Sequence, residues 1–540
     1  MNVSPFYVMK RIWFVLLVMT MISCSKTKVD MIVYNANVYT VDEQFSKAEA
    51  FAIKDGKFVD IGSDKKILRR YDATQSLDAQ GMSIYPGLMD GHCHFAGYGE
   101  WKARYADLTG CRSFEEVIER LEKHNENNTS DWLLGRGWDQ NLWKSKNFPE
   151  NTDLQKRLPD KKILLTRIDG HAVIVSDNVL SIVGLDENSK VAGGDILLNK
   201  KGKPTGVLID NAADIAKASI PPMDKNEMVR SLKLAQRDCV ALGLTGVTDA
   251  GLPIETIELI DSLQQTGILK IKVNAMINPD DETMDYFMSR GIIDKERLTV
   301  RSVKIYADGA LGSRGAKLIE PYTDSPETDG LVLESDEFYN HVCEKAYNAG
   351  YQVCCHAIGD GGARMILGHY AKYLKGSNDL RWRIEHSQTI HPDDFALFKE
   401  YNVIPSIQAT HCTSDMPWAE ERLGSERIKT AYAYKTLLEQ NGWIINGTDF
   451  PIEDVSPIAT FYSSVARPWL TDTKLSRQEA LRSMTIWAAK GYYAEDRKGS
   501  IEAGKEADFV ILSDDIMTID DKKIPEVKVV NTFINGEMVF

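Results

Sequence analysis

Histidine is scarce in this chain, with ten in 540 residues. Several other features are missing, and each absence removes a class of protein. No apolar run approaches the ~20 residues that would span a bilayer. Positive charge is not in excess: 64 Lys and Arg stand against 78 Asp and Glu, a net charge of -14. Nucleic-acid binding, which needs a basic face, is therefore excluded as an expectation. Cysteines number eight and are scattered without a Cys-x-x-Cys pair, which argues against a disulfide scaffold or a zinc ribbon. There is no Walker A sequence and no Gly-x-Ser-x-Gly elbow, so phosphate cradling and serine-hydrolase chemistry lack support. The Gly-rich "DGALGSRG" has no βαβ fingerprint around it. What remains is an ordinary globular composition, 43% hydrophobic and 26% charged, with enough apolar residues for a large core.

The first 24 residues read as a targeting segment. Met9-Lys10-Arg11 reads as a natural start, and Ile12 to Met21 is a short apolar run of secretory type. Met21-Ile22-Ser23-Cys24 resembles a bacterial lipobox, which implies a lipidated Cys24, export and a lipid anchor in the cell envelope. Without Cys24 an odd number of cysteines is left, most of them expected as buried small hydrophobes.

Both ends of the remaining chain are strand-like. Asp55-Gly56 lies between two apolar runs in "AFAIKDGKFVDIG", and Asn535-Gly536 does the same near the C-terminus; both are hairpin signals. Neither end has enough strands to bury a core alone. The expectation is a β-sandwich built from residues 25–84 and part of 481–540, with the intervening chain inserted between its halves. Residues 85–480 alternate strands and helices, the strands ending near His92, Thr248, Asn274, Tyr306, His356, His386, Ser406 and Asn446. Eight such units define an α/β fold, a distorted (β/α)₈ TIM barrel. About 150 residues separate the first two strands, too many for a loop, so residues from about 100 to 225 form an insert over the barrel mouth.

"YPGLMDGHCHFAGYG" contains two histidines two residues apart at the end of the first strand. Residues i and i+2 of a strand share a face, so His92 and His94 point together while Cys93 points away. At the C-terminal end of a barrel strand that direction is toward the active-site mouth. The same level of other strands carries Lys304 in "VKIYADG", His356 in "CCHAIGD", His386 in "IEHSQ" and Asp449 in "INGTDFP". Taken singly these read as a snorkelling lysine, core histidines and a turn aspartate. Together, at matched strand ends, they read as a metal centre.

The segments "PGLMDGHCHF", "VKIYADGALGSRGA", "HAIGD", "EHSQ", "GTDFP" and "KGSIEAGKEADFVILS" resemble the amidohydrolase superfamily. The closer likeness is to its amidohydrolase 3 group, which includes N-substituted formamide deformylase-like proteins. The resemblance runs from about Met31 to Phe540. It implies two divalent ions, His92, His94 and Asp449 holding the more buried one and His356 and His386 the second. Lys304 would be carboxylated on its amine and bridge them, exchanging a repelled ammonium for an anionic carbamate. A shared hydroxide would attack a polarised carbonyl, and Asp449 would carry its proton to the leaving nitrogen. Imidazole and carboxylate suit zinc, with manganese or iron as alternatives.

Further candidates for substrate contact are His171 in "RIDGHAVIVS", Trp138, Asp139 and Gln140 in "GRGWDQ", Arg314 in "GALGSRGA", and His411 after the seventh strand. Each has a competing role: structure for His171, packing for Trp138, a loop cap for Arg314, solvent exposure for His411. The expected activity is metal-dependent hydrolysis of amide-type, non-peptide C–N bonds in a small molecule. A deaminase of amino-heterocycles on the same scaffold and a catalytically inactive lipid-anchored binding protein are the rivals. The expected partners are the substrate, the membrane through the anchor only, and at most a second copy in a homodimer.

Overall fold

The computed structural model describes residues 26–126, 128, 130–376 and 378–540. The targeting segment and Cys24 lie outside them. Eight parallel strands form one sheet in simple sequential order: β1 (Leu88–Cys93), β2 (Leu244–Leu252), β3 (Lys272–Ile277), β4 (Leu298–Tyr306), β5 (Gln352–Ala357), β6 (Arg383–His386), β7 (Ile404–Ile407) and β8 (Ile445–Asn446). Most of these strands have every residue buried, as expected where helices cover the outside and side chains fill the inside. Some of the helices between them start on side-chain caps. Lys225–Ala241, for example, opens with a reciprocal Asp224–Glu227 capping box.

The sheet curls into a nearly closed barrel because β1 and the chain after β8 come together. Asp449 N donates to His92 O and His94 N donates to Phe450 O, both at 2.8 Å. Asp90 reinforces the seam by accepting from Thr448 Oγ1 at 2.7 Å. Two glycines make this approach sterically feasible. A Cβ at Gly91 would lie 2.1 Å from Ile445 Cγ2, and one at Gly447 would lie 2.5 Å from His92 N. Inside the barrel, Arg383 on β6 donates to Gly91 O on β1 at 2.7 Å and to Ser406 Oγ on β7 at 2.9 Å.

Strands from both ends of the chain share one sheet. Phe509–Leu512 lies between Val529–Ile534 and Ser83–Pro86, and the latter leads through Gly87 into β1. A second, four-stranded sheet contains Thr27–Tyr34 and Tyr71–Asp78. The core between the sheets is aromatic: Phe509 stacks on Phe533 at 4.2 Å and meets Phe51 edge-on at 5.1 Å.

Between β1 and β2 lies a six-stranded sheet with Tyr105–Asp107 at one edge and Gly194–Leu198 at the other. It buries an apolar cluster on each face, one around Trp138 and Trp143 and one around Leu164 and Leu208. One edge of this unit reaches the C-terminal end of the barrel, and together they enclose a cavity of about 1320 Å³. The strand limits differ slightly from the sequence expectation. β2 continues to Leu252 and β3 to Ile277, since both strands stay largely buried past Thr248 and Asn274.

Candidate metal centre

The side chains at the cavity floor come from strand ends, as the barrel geometry requires. His92 leaves β1 fully buried, and His94, just beyond, opens the helix Phe95–Arg104. Cys93 points the other way, its Sγ 3.3 Å from Thr248 O. Asp449 follows β8 with a left-handed backbone, φ 60°, and His386 and Ser387 at the end of β6 share that feature at 72° and 43°. Strained backbone at three non-glycine positions around one point is typical of a functional centre.

Asp449 Oδ1 lies 3.4 Å from His92 Nε2 and 3.3 Å from His94 Nε2. Its Oδ2 lies 3.7 Å from His411 Nε2. Lys304 Nζ stands 3.2 Å from His92 Nε2. The His386 ring is 5.0 Å from that of His92 and 4.4 Å from that of His356. Two three-donor groups emerge, His92–His94–Asp449 and His386–His411–Asp449. His411 is buried, not solvent-exposed, and packs against His386 with ring centres 5.7 Å apart. It is thus a further candidate donor beside His356, which the resemblance places at the second ion. His356 is adjacent, but its Nε2 faces Gly309 O at 3.3 Å.

The donor set fits a cation. Asp449 Oδ1, His386 Nδ1 and His411 Nε2 are buried without a well-aligned hydrogen bond, and a cation bound among them would satisfy such atoms. Burial holds His356 and His386 well below the ordinary imidazole value, so both are neutral and keep a lone pair to donate. Burial also lowers the Lys304 ammonium, which favours the free amine that carboxylation requires.

A supporting carboxylate carries no signal of its own in the sequence. Glu385, beside His386, contacts His92 Nδ1 at 2.5 Å and fixes which ring nitrogen faces the centre. Burial pushes this carboxyl up, but Arg383 and His92 outweigh it and hold Glu385 at about 2. Arg383 Nε contacts Glu385 Oε1 at 2.7 Å.

The insert supplies the far wall. His171 lines the cavity with its ring 5.2 Å from that of His356, and its Nδ1 is 2.7 Å from Asp210 Oδ1. Asp139 also lines the cavity but is paired with Arg167. Three expected substrate contacts are placed elsewhere. Trp138 is wholly buried in the insert core, its indole donating to Leu165 O at 2.8 Å. Gln140 is buried behind Arg167 and accepts from its Nε at 2.8 Å. Arg314 turns away to Asp324, its Nη2 2.7 Å from Oδ2, where it ties down its own loop. In all three cases a nearby hydrogen-bond or ion-pair partner decided the orientation, and residue order does not encode that.

A buried cluster of imidazoles, a lysine and a carboxylate at the mouth of a (β/α)₈ barrel defines the class of metal-dependent hydrolases. The profile of the amidohydrolase family matches residues 75–540, and the chain belongs to that family. It is 30% identical to YtcJ of Bacillus subtilis over 93% of this chain and 98% of that protein. It is 25% identical to the N-substituted formamide deformylase of Arthrobacter pascens, over 94% and 97% of the two chains. Among solved structures, an uncharacterized metal-dependent hydrolase from Pyrococcus horikoshii matches with a TM-score of 0.75 at 27% identity, covering 91% of this chain and 99% of that one.

Proposed function

We propose that the protein hydrolyses amide-type, non-peptide C–N bonds in a small molecule. The observation that carries this reading is the trio of buried, unpartnered donors on Asp449, His386 and His411 beneath a large cavity. Two divalent ions would be held by His92, His94 and Asp449 and by His386 with His411 or His356, with a carboxylated Lys304 between them; zinc suits these ligands, and manganese or iron are alternatives. Bound there, such ions supply Lewis-acid polarisation of the carbonyl and lower the pKa of water.

The chain's own groups do the rest. Asp449 is placed to take a proton from the water as the C–O bond forms by addition to the carbonyl, and to pass it to the nitrogen so that the C–N bond can then break and the carbonyl reform. Asp210 orients His171, leaving its Nε2 available for a substrate oxygen. The insert roofs the cavity and limits water. The likeness to a formamide deformylase supports an amide substrate over an amino-heterocycle. The lipobox-like segment supports an exported, lipid-anchored enzyme.

The test is a product screen. Zinc-loaded and metal-stripped protein are incubated with N-formyl and N-acyl amines, lactams and amino-heterocycles, and products are identified by mass spectrometry. Metal-dependent release of an acid and an amine is expected. Ammonia release from the heterocycles alone would replace the reading with a deaminase.

A further inference from the structure

Two guanidiniums line the same cavity, and the fold treats them oppositely. Arg167 is saturated: Nε donates to Gln140, and Nη1 and Nη2 reach Asp169 and Asp139 at 2.5 Å each. Arg136 lies on the adjoining strand of the insert sheet, opposite Thr166. It is half-buried, its Nη2 makes one long bond of 3.3 Å to Ile168 O, and its Nε is buried without a partner. Among the described residues no carboxylate lies within ion-pair distance of it. The acids nearby have other partners. Asp139 and Asp169 hold Arg167, Asp449 belongs to the metal centre, and Asp107 accepts from Thr109 N.

The position of Arg136 is telling. A Cβ at Gly170 would lie 3.6 Å from Arg136 Nη2 and 3.6 Å from Ile452 Cδ1, so the guanidinium and the chain just after Asp449 flank the same glycine. A partly desolvated cation without a counter-charge is costly to hold. A guanidinium fork also matches a carboxylate in two parallel hydrogen bonds. In a chain of net charge -14, an anionic ligand needs such a local cation to outweigh the general repulsion.

We propose that Arg136 is a specificity-determining residue that anchors a carboxylate on the substrate, so that the preferred amides are anionic. This rests on the amide-hydrolase reading and names the substrate class of the same site. Lysine in its place would keep the charge but lose the fork.

Two measurements on the zinc-loaded full chain test it. The first uses keto analogues of N-acyl amino acids of several side chains, in which CH2 replaces the amide nitrogen so that no C–N bond can be cut, against the matching neutral primary alcohols, with binding read by calorimetry. In the wild type the carboxylates should bind about 30-fold or more tightly, as expected for a desolvated charge pair. Arg136→Gln should reduce that ratio below about threefold, and Arg136→Lys should fall between. The second compares kcat/KM for N-acyl amino acids and their carboxamides, where Arg136→Gln should act mainly through KM on the carboxylates. Absence of any carboxylate preference across the panel overturns the assignment, as does a preference that survives in Arg136→Gln. Hydrolysis of neutral amides without carboxylate preference would retain the amide reading while removing this role. Carboxylate-selective binding without hydrolysis would do the reverse.

Discussion

The two ends of the barrel both bury charge, but to different purposes. At the N-terminal end of β3, Lys272 is enclosed by Glu506, Asp508 and Asn535, the last at 2.7 Å, so every charge has a partner and the barrel is locked to the terminal β-sheet. At the C-terminal end, Asp449, His386 and His411 retain buried atoms with no partner. One end spends its polar groups on stability, and the other holds them open for a ligand. Substitutions at the two ends should therefore fail in different ways.

The largest effect should come at the open end. Asp449→Asn should lower turnover by about 10³-fold while leaving the fold intact, since proton transfer is lost. Steady-state rates and circular dichroism check both halves of that statement, and unchanged turnover would remove the proton-carrying role. Lys272→Met should show the opposite pattern. It leaves the buried Asp508 without its cation, while Glu506 keeps Lys498 and Arg497, and should cost about 3 kcal/mol of stability, read by urea unfolding, with activity per folded molecule preserved. A large loss of activity without loss of stability would erase the contrast between the ends.

A smaller effect is expected at Glu385, which supports the open end without belonging to it. Glu385→Gln should weaken metal affinity by about 10- to 100-fold, measured by competition with a chelator, because His92 loses the partner that sets its ring. The smallest effect concerns pH. Asp415, at the cavity wall, accepts from Tyr432 Oη at 2.7 Å, and burial pushes its carboxyl up to about 7. A carboxyl raised above its unfolded value favours folding in the protonated form, so its contribution is full at low pH and is lost as pH rises through about 7. Asp415→Asn, which stays neutral, should thus gain thermal stability relative to wild type between pH 5 and pH 8; a gain in the other direction contradicts the assignment.

This contrast also explains what was legible beforehand. The barrel could be read because its strands are short apolar runs spaced by helical patterns, and His92, His94, Lys304, His356, His386 and Asp449 could be read because strand ends fall at fixed points of those runs. Glu385 sits directly beside His386 yet was passed over, since its role depends on a contact with β1 almost 300 residues away in sequence. Trp138, Gln140 and Arg314 illustrate the same limit in reverse: the partners that hold them off the cavity wall, Leu165, Arg167 and Asp324, are tertiary facts. Arg136 was invisible because its significance lies in an ion pair it does not make.

The central claim is that the unpartnered donors at the C-terminal end of the barrel hold metal. Equilibrium dialysis of the full chain against saturating zinc, followed by elemental analysis, tests it most directly. Two ions per wild-type chain, with loss of at least one in Asp449→Asn, is the predicted result. One ion or none in the wild type would contradict the binuclear centre.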